Sequence, residues 1–309
     1  MAETVRRNLA TAPVVEIGTS ASPAISPDTT VGAGLQLMLA ASLRGLRHPA
    51  HRGESERPEV VHRFRVGLRR LRSLISAFRT VLPDAERRVL GARLSALGKR
   101  YSGVREWDVF LTGTLRPMAA ALPNEPALLE LEACAREARH RALPGPVNFH
   151  AEANEVAAAI DAASWLHHPR PEFASEWRSD LKHFAVKLLT KHHRRLRKRL
   201  KAIDLDHQES LHAVRIEAKK LRYPIEMFEN LFDSKAVDDY LERLIAVQDV
   251  LGYLNDALVA RNLVAELQLS SRPQGVANGW LAHEIETRRQ RVPAVAKKLR
   301  RAAPFWEEE

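Results

Sequence analysis

The sequence contains one helical pattern twice, 150 positions apart, and each copy confines its positive charges to one face. The first copy runs from Val61 to Leu82 and the second from Leu211 to Phe232. Each residue of an α-helix advances by about 100° around the axis, so apolar and cationic side chains fall on opposite faces of both copies. The cationic faces consist of His62, Arg65, Arg69 and Arg72 in the first copy, and of His212, Arg215, Lys219 and Arg222 in the second. The pattern predicts two packed helices, each presenting a row of cations.

The same offset relates the neighbouring segments. Arg44 and Arg47 correspond to Arg194 and Arg197, and the register continues without insertion to Val109. No alternating pattern typical of strands accompanies these helical segments. A constant offset across consecutive helices is rarely produced by chance. The sequence therefore predicts an all-α fold of two four-helix bundles, related by a pseudo-twofold axis, around a basic cavity.

The distribution of proline and small polar residues predicts the domain boundaries. Residues 1–28 lack a helical period and are expected to form a mobile tail, followed by one folded domain over 29–302. Within that domain we expect a first bundle at about 31–142, a proline-rich linker at about 143–172 and a second bundle at about 173–302. The linker is expected to contain a helix from Glu152 to Trp165, and Pro224 is expected to bend the second basic helix.

Composition restricts the function classes. Lys and Arg total 48 against 38 Asp and Glu, and the resulting net charge of +10 favours an anionic partner. The single cysteine excludes an internal disulfide and a cysteine-based zinc site, which favours a reducing, cytoplasmic setting. No apolar run approaches the roughly 18 residues of a membrane span, and the N-terminus lacks the apolar region of a signal peptide.

The cationic rows have the chemistry of a phosphate site. Guanidinium groups bind phosphate oxygens through paired hydrogen bonds and stay charged at any biological pH. Residues 61–80 contain six arginines and no acidic residue, whereas a solvated helix face usually mixes both signs. A second basic segment, 191–201, keeps an apolar seam and should remain helical. A merely solvated face is the alternative, but recurrence in both halves favours a binding role, with Arg44, Arg47, Arg194 and Arg197 as further candidates.

Two acidic segments offer candidates for a metal site. Glu106, Asp108 and Asp256 lie in predicted turns at 104–108 and 254–256. A divalent cation would need several converging oxygen ligands. We favour a structural role, in which these residues cap the following helices and pair with arginines such as Arg105. We therefore predict no metal site, no cofactor and no catalytic residue.

Four segments together resemble the CHAD family, the conserved histidine α-helical domain. They are VHRFRVGLRRLR at 61–72, VREWDV at 104–109, LHAVRIEAKKLRY at 211–223 and LGYLND at 251–256. The resemblance implies an all-helical domain around a basic cavity that binds inorganic polyphosphate, without an established enzymatic activity. Carried over by position, the cavity-lining role falls on His62, Arg65, Arg69, Arg72, His212, Arg215, Lys219, Lys220 and Arg222. The sequence departs from the family pattern at Glu106, where aspartate is usual, and at Pro224.

The resemblance and the cationic rows together predict a non-enzymatic polyphosphate-binding protein. Its expected setting is the bacterial cytoplasm at polyphosphate granules, with granule proteins as further partners, no membrane contact, and nucleic acid only as a non-specific competitor. Two alternatives remain open at this point. One is a basic helical protein that binds nucleic acid, and the other is a metal-dependent enzyme that transfers phosphate or hydrolyses polyphosphate.

Overall fold

The computed structural model describes residues 25–47, 57–145 and 148–307. Helices account for most of these residues, and the β-structure among them is an isolated bridge between Thr30 and Asp180. The helices are α1 (Val31–Arg47), α2 (Pro58–Ala77), α3 (Asp84–Arg100), α4 (Ser102–Val109), α5 (Arg116–Ala121), α6 (Ala127–Arg141), α7 (Phe149–Asp161), α8 (Ala174–Trp177), α9 (Leu181–Lys201), α10 (Gln208–Phe228), α11 (Ser234–Glu266) and α12 (Ser271–Arg300). A π-helical segment, Phe110–Leu115, joins α4 to α5. The predicted all-α class is confirmed.

The two basic helices form where the sequence places them. Helix α2 has Pro58 in its first turn, where a missing N–H costs nothing, and buries its apolar stripe from Val61 to Ile75. Helix α10 buries the equivalent stripe from Leu211 to Ile225 and continues through Pro224. On both helices the charged side chains lie on the faces that point away from the core.

Three pairs of helices begin 150 positions apart. The starts are residues 31 and 181 for α1 and α9, 58 and 208 for α2 and α10, and 84 and 234 for α3 and α11. After these starts the halves differ, because α11 is one helix of 33 residues. The corresponding part of the first half is divided into α3, α4, the π-helical segment and α5. The pseudo-twofold relation between the halves stays a prediction.

The apolar side chains form two cores. The first is built by α1, α2, α3, α7 and the beginning of α9, and the second by α6, the rest of α9, and α10 to α12. Helix α9 contributes to both, since Leu188 lies in the first core and its neighbour Leu189 in the second. Helix α4 does the same through Val104 and Trp107. The predicted bundle boundaries are not tested by these contacts and stay predictions.

The flanking segments of the predicted domain also carry structure. Residues 1–24 of the expected tail lie outside the described residues, whereas Ile25 is buried in the first core. The expected linker helix is present as α7, one turn earlier than predicted, followed by a short 3-10 turn at Ser164–Leu166. Among the described helices, none combines the length and the apolar character of a membrane span.

Two glycines of α1 allow a matched test of the packing. A Cβ atom at Gly32 would overlap the buried indole ring of Trp177, whereas a Cβ at Gly45 would meet no atom within 4 Å. We expect Gly32→Ala to lower the free energy of unfolding by about 1–3 kcal/mol through overpacking. Gly45→Ala should raise it by up to about 1 kcal/mol through helix propensity. Urea unfolding measures both changes. Equal effects of the two variants would contradict the described packing of α1 on α8.

Candidate anion-binding site

The cationic faces of α2 and α10 meet, because these two helices pack directly against each other. Arg69 of α2 lies at the meeting point and places its guanidinium 5.7 Å from the centre of the Tyr223 ring on α10. Its charge acts on cations of α2, of α10 and of α4. These basic side chains are His62, Arg65, Arg105, Arg215 and Lys219, which together with Arg69 are called the α2–α10 cluster.

Arg65 is fixed at the edge of the cluster by the junction of α3 and α4. One of its terminal nitrogens donates to the Gly98 carbonyl and, at 3.1 Å, to the Ser102 hydroxyl. Because both acceptors are neutral, these bonds orient the guanidinium without neutralising its charge. Burial, followed by the charge of Arg69, lowers the pKa of Arg65.

Lys219 is affected both by burial and by the cations around it. Its ammonium group is mostly buried beside Arg215 and Arg69, and burial followed by these two charges lowers its pKa to about 7. Asp256 of α11 opposes the shift without cancelling it. Lys219 is therefore only partly protonated at neutral pH in the absence of an anion.

His62 shows the same shortage of negative charge on the α2 side. Burial, with smaller contributions from Arg105, Arg69 and Arg65, lowers its pKa to about 4. The imidazole is accordingly neutral at pH 7 and acts as a hydrogen-bonding group rather than a cation. The predicted cationic row of α2 therefore has its positive charge at neutral pH on its arginines.

One guanidinium nitrogen in the cluster lacks a partner. The Nε of Arg215 is buried and, among the described residues, makes no hydrogen bond. A buried donor without an acceptor costs free energy comparable to a lost hydrogen bond. An incoming anion could supply the missing acceptor.

The acidic segments lie inside helices, and the prediction that they form turns capping the following helices is wrong. Asp108 lies within α4 and Asp256 within α11. Asp108 is buried and accepts a hydrogen bond from the Nε of Arg139 at 2.6 Å. Asp108 and Asp256 act electrostatically on the Arg105 guanidinium, but the ion pair of Asp108 is with Arg139. Turn residues such as Gly103 obscured a helix that the apolar spacing of Val104 and Trp107 indicates.

Arg105 is the member of the cluster that the sequence analysis left out of the site. It was interpreted as a partner of the acidic residues. The structure places it beside Arg69, because α4 packs against both α2 and α11. Its half-buried side chain adds a third helix to the site.

Arg222 lies at the far end of the row and is held by neighbours of its own. Its Nε donates to Glu226, and one terminal nitrogen donates to the Gln248 amide oxygen at 3.2 Å. Gln248 in turn donates to the Ala218 carbonyl at 2.8 Å. Arg72 and His212 are exposed on α2 and α10, one turn from Arg69 and Arg215 respectively.

The remaining predicted residues are not brought to the cluster. Arg44 and Arg47 line a separate cavity of about 440 Å³ between α1 and α7, where Arg47 lies 3.8 Å from Asp161. Arg194 and Arg197 are exposed on α9, and Arg197 acts on His193 and Tyr240.

Lys220 points to the other side of α10 from Lys219 and donates to Glu217 at 2.8 Å. The cationic set therefore divides among several faces because helix neighbours one or two positions apart diverge by about 100° or more.

No group of three or more His, Cys, Asp or Glu side chains that could hold a metal ion occurs within the described part of the chain. The expectations of no metal, no cofactor and no catalytic residue stay predictions.

Comparison with known proteins decides the family. The sequence model of the CHAD domain family matches residues 38–265. The chain belongs to the CHAD family. Among solved structures it is similar to the crystal structure of the CHAD domain from the plant Ricinus communis, with a TM-score of 0.69 and 28% sequence identity. That match covers 93% of this chain and 98% of the plant chain.

The fold is also shared with PptA from Streptomyces chartreusis, with a TM-score of 0.63 and 18% identity over 87% of this chain and 100% of the PptA chain. A search of curated proteins gave no match.

Lys219→Met is expected to flatten the pH dependence of stability. The Lys219 pKa is about 7 in the folded protein, against an ordinary value of 10.5. Between these values the unfolded chain binds more protons than the folded chain, so Lys219 makes the free energy of unfolding rise with pH. Urea unfolding across that interval should show a smaller rise for the variant. Lys297→Met, at an exposed position of α12, is the control and should retain the rise. Equal pH slopes in both variants would contradict the burial of Lys219.

Proposed function

We propose that this CHAD protein binds inorganic polyphosphate through the α2–α10 cluster without catalysing a reaction on it. The observation that carries the proposal is the position of Arg69, which joins cations of three helices at a partly buried site. Such a concentration of like charge is unfavourable for the folded protein unless an anion neutralises it. A chain of phosphates supplies one negative charge after another and hydrogen-bond acceptors for every guanidinium.

The arrangement fits a linear anion better than a compact one. His62, Arg65 and Arg69 occupy about two turns of α2, so they follow about 10 Å of helix axis. Arg215 and Lys219 add a second row of donors, about one turn long, on α10. A single phosphate would satisfy only a fraction of these donors, whereas a chain would contact them in succession.

The same physical picture favours polyphosphate over nucleic acid. Base recognition in single strands relies on exposed aromatic rings that stack with successive bases. At the cluster, Tyr223 is largely buried beneath Arg69, so its ring is not presented to a base. We therefore propose that nucleic acid competes only non-specifically. If the chain binds polyphosphate, its setting is the bacterial cytoplasm, at polyphosphate granules and their proteins.

The double variant Arg69→Gln/Arg215→Gln should bind polyphosphate at least tenfold more weakly, a loss of about 1.4 kcal/mol in binding free energy. The dependence of log affinity on log salt should also become shallower, by about 0.7–0.9 for each arginine that contacts phosphate. Fluorescence anisotropy with labelled long-chain polyphosphate over a salt titration measures both. Arg291→Gln/Lys297→Gln removes the same charge from exposed positions of α12 and is the control. Equal affinity losses in the two double variants would reduce the effect to net charge and refute the assigned site.

Ligand discrimination separates the proposed function from the alternatives. Long-chain polyphosphate should displace the labelled chain far better than orthophosphate or ATP at equal phosphate concentration, because only a chain spans the cluster. Duplex DNA should compete weakly. Free phosphate should stay constant when the protein and polyphosphate are incubated with Mg²⁺. Steady phosphate release that Arg69→Gln/Arg215→Gln abolishes would favour the enzyme alternative, and stronger competition by DNA would favour the nucleic-acid alternative.

A further inference from the structure

A second group of cations lies on a face of α10 about 100° around the helix from Lys219. It contains Lys220 of α10, Lys191 and Arg195 of α9, and Arg79, which follows the end of α2. These four residues are called the α9 cluster. Lys191, Arg195 and Lys220 are exposed, and Arg79 is half-buried.

Aromatic packing holds the three chain segments together at this place. The ring of Phe78 lies 5.0 Å from that of Phe184 on α9 and 6.1 Å from that of Phe228 on α10, measured between ring centres. All three rings belong to or pack against the first core. Since Arg79 directly follows Phe78, its position relative to α9 and α10 is determined by buried contacts rather than by a loop alone.

The charges of the α9 cluster act on one another. The pKa of Lys191 is lowered mainly by Arg79, and then by slight burial and by Arg195. An exposed lysine shows such a shift only when other cations are near. At the base of the cluster, the ring of His192 is buried. Burial, with smaller contributions from the charges of Arg195, Arg79 and Lys220, lowers the pKa of His192 to about 4, and Glu217 opposes the shift.

Glu217 of α10 is the carboxylate that pairs with Lys220 and acts on His192. Its Oε1 accepts a hydrogen bond from the Nζ of Lys220 at 2.8 Å. Two buried atoms at the base, the Nδ1 of His192 and the Oε2 of Glu217, have no hydrogen-bond partner within the described residues. Lys220 is thus paired with a carboxylate, whereas Arg79, Lys191 and Arg195 form no ion pair with any described residue.

The two clusters are joined along the same pair of helices. Lys219 and Lys220 are consecutive on α10, whereas α2 carries Arg69 and the exposed Arg72, and Arg79 follows the end of α2. The eight positions from Arg69 to the end of α2 at Ala77 correspond to about 12 Å along the helix axis, and Arg79 lies two residues further along the chain. The positions 150 residues before Lys191 and Arg195 are Ala41 and Gly45, so the first half has no counterpart of the α9 cluster.

Resting on the proposed function, we propose that Arg79, Lys191, Arg195 and Lys220 form a second phosphate-binding site that takes up the continuation of a polyphosphate chain held at the α2–α10 cluster. A chain that reaches both clusters binds the second site in an intramolecular step, so its affinity exceeds that of a chain confined to the first. The second site therefore makes the protein discriminate polyphosphates by length.

The test compares two charge-neutralising variants against chains of different length. Lys191→Gln/Arg195→Gln should lower the affinity for long-chain polyphosphate at least fivefold and leave tripolyphosphate affinity unchanged. Arg69→Gln/Arg215→Gln should weaken binding of both. Arg291→Gln/Lys297→Gln, which removes two exposed cations from α12, controls for net charge. Competition titrations with unlabelled chains at one fixed salt concentration measure all affinities on the full-length protein.

The outcomes separate this inference from the proposed function. If long-chain affinity is unchanged in Lys191→Gln/Arg195→Gln but falls in Arg69→Gln/Arg215→Gln, the second site is refuted and the first stands. If the native protein binds no polyphosphate, both proposals fail. A parallel loss of tripolyphosphate affinity in the α9 variant would also refute a separate site. Because both substituted residues are exposed, the variant should fold, and circular dichroism checks that it does.

Discussion

The contact between α2 and α10 is the constraint on which the rest of the structure depends. Each helix buries an apolar stripe, and the faces beside these stripes, where the two helices pack together, carry cations. Apolar burial contributes on the order of 25 cal/mol for each Å² removed from water, and a stripe of several large side chains can offset considerable repulsion. The cationic cluster is therefore held together by the packing behind it. Arg69 lies over the Tyr223 ring, which adds a favourable cation–π contact at the same point.

The electrostatic consequences extend beyond the cluster itself. Lys219 and His62 both have lowered pKa values, because losing a proton removes the cost of burying a charge and the repulsion from neighbouring cations. Arginine cannot respond in this way, so Arg65, Arg69, Arg105 and Arg215 keep their charge. The site thus contains fixed cations, which give a permanent attraction for anions, beside groups that can take up protons when an anion arrives.

The helices and their two faces could be predicted from the sequence because a period of 3.6 residues records burial directly. The repeat offset located α2 and α10, and the helix starts at residues 58 and 208 agree with it. The cluster was harder to predict, since it depends on which helices become neighbours. Arg105 was missed because α4 brings it to Arg69 from 36 positions away, which no local period records.

Helical periodicity also could not show which candidate cations lie outside the α2–α10 cluster. Arg44 belongs to a row at the right offset, yet α1 faces α7 at that point. Lys220 follows a cluster residue directly but points away from it, as an angle of about 100° between successive residues requires. The sequence therefore places candidate cations on several helix faces, and tertiary packing decides which of them lie together.

Helix α9 carries a mechanical consequence. Its adjacent residues Leu188 and Leu189 are buried in different cores, so any displacement of one core against the other would pull an apolar side chain into water. Together with α4, which also has buried residues in both cores, α9 fixes the two cores to each other. Under the proposed function, a polyphosphate chain would therefore be bound by reorientation of long arginine and lysine side chains, while the helices that carry them keep their relative positions.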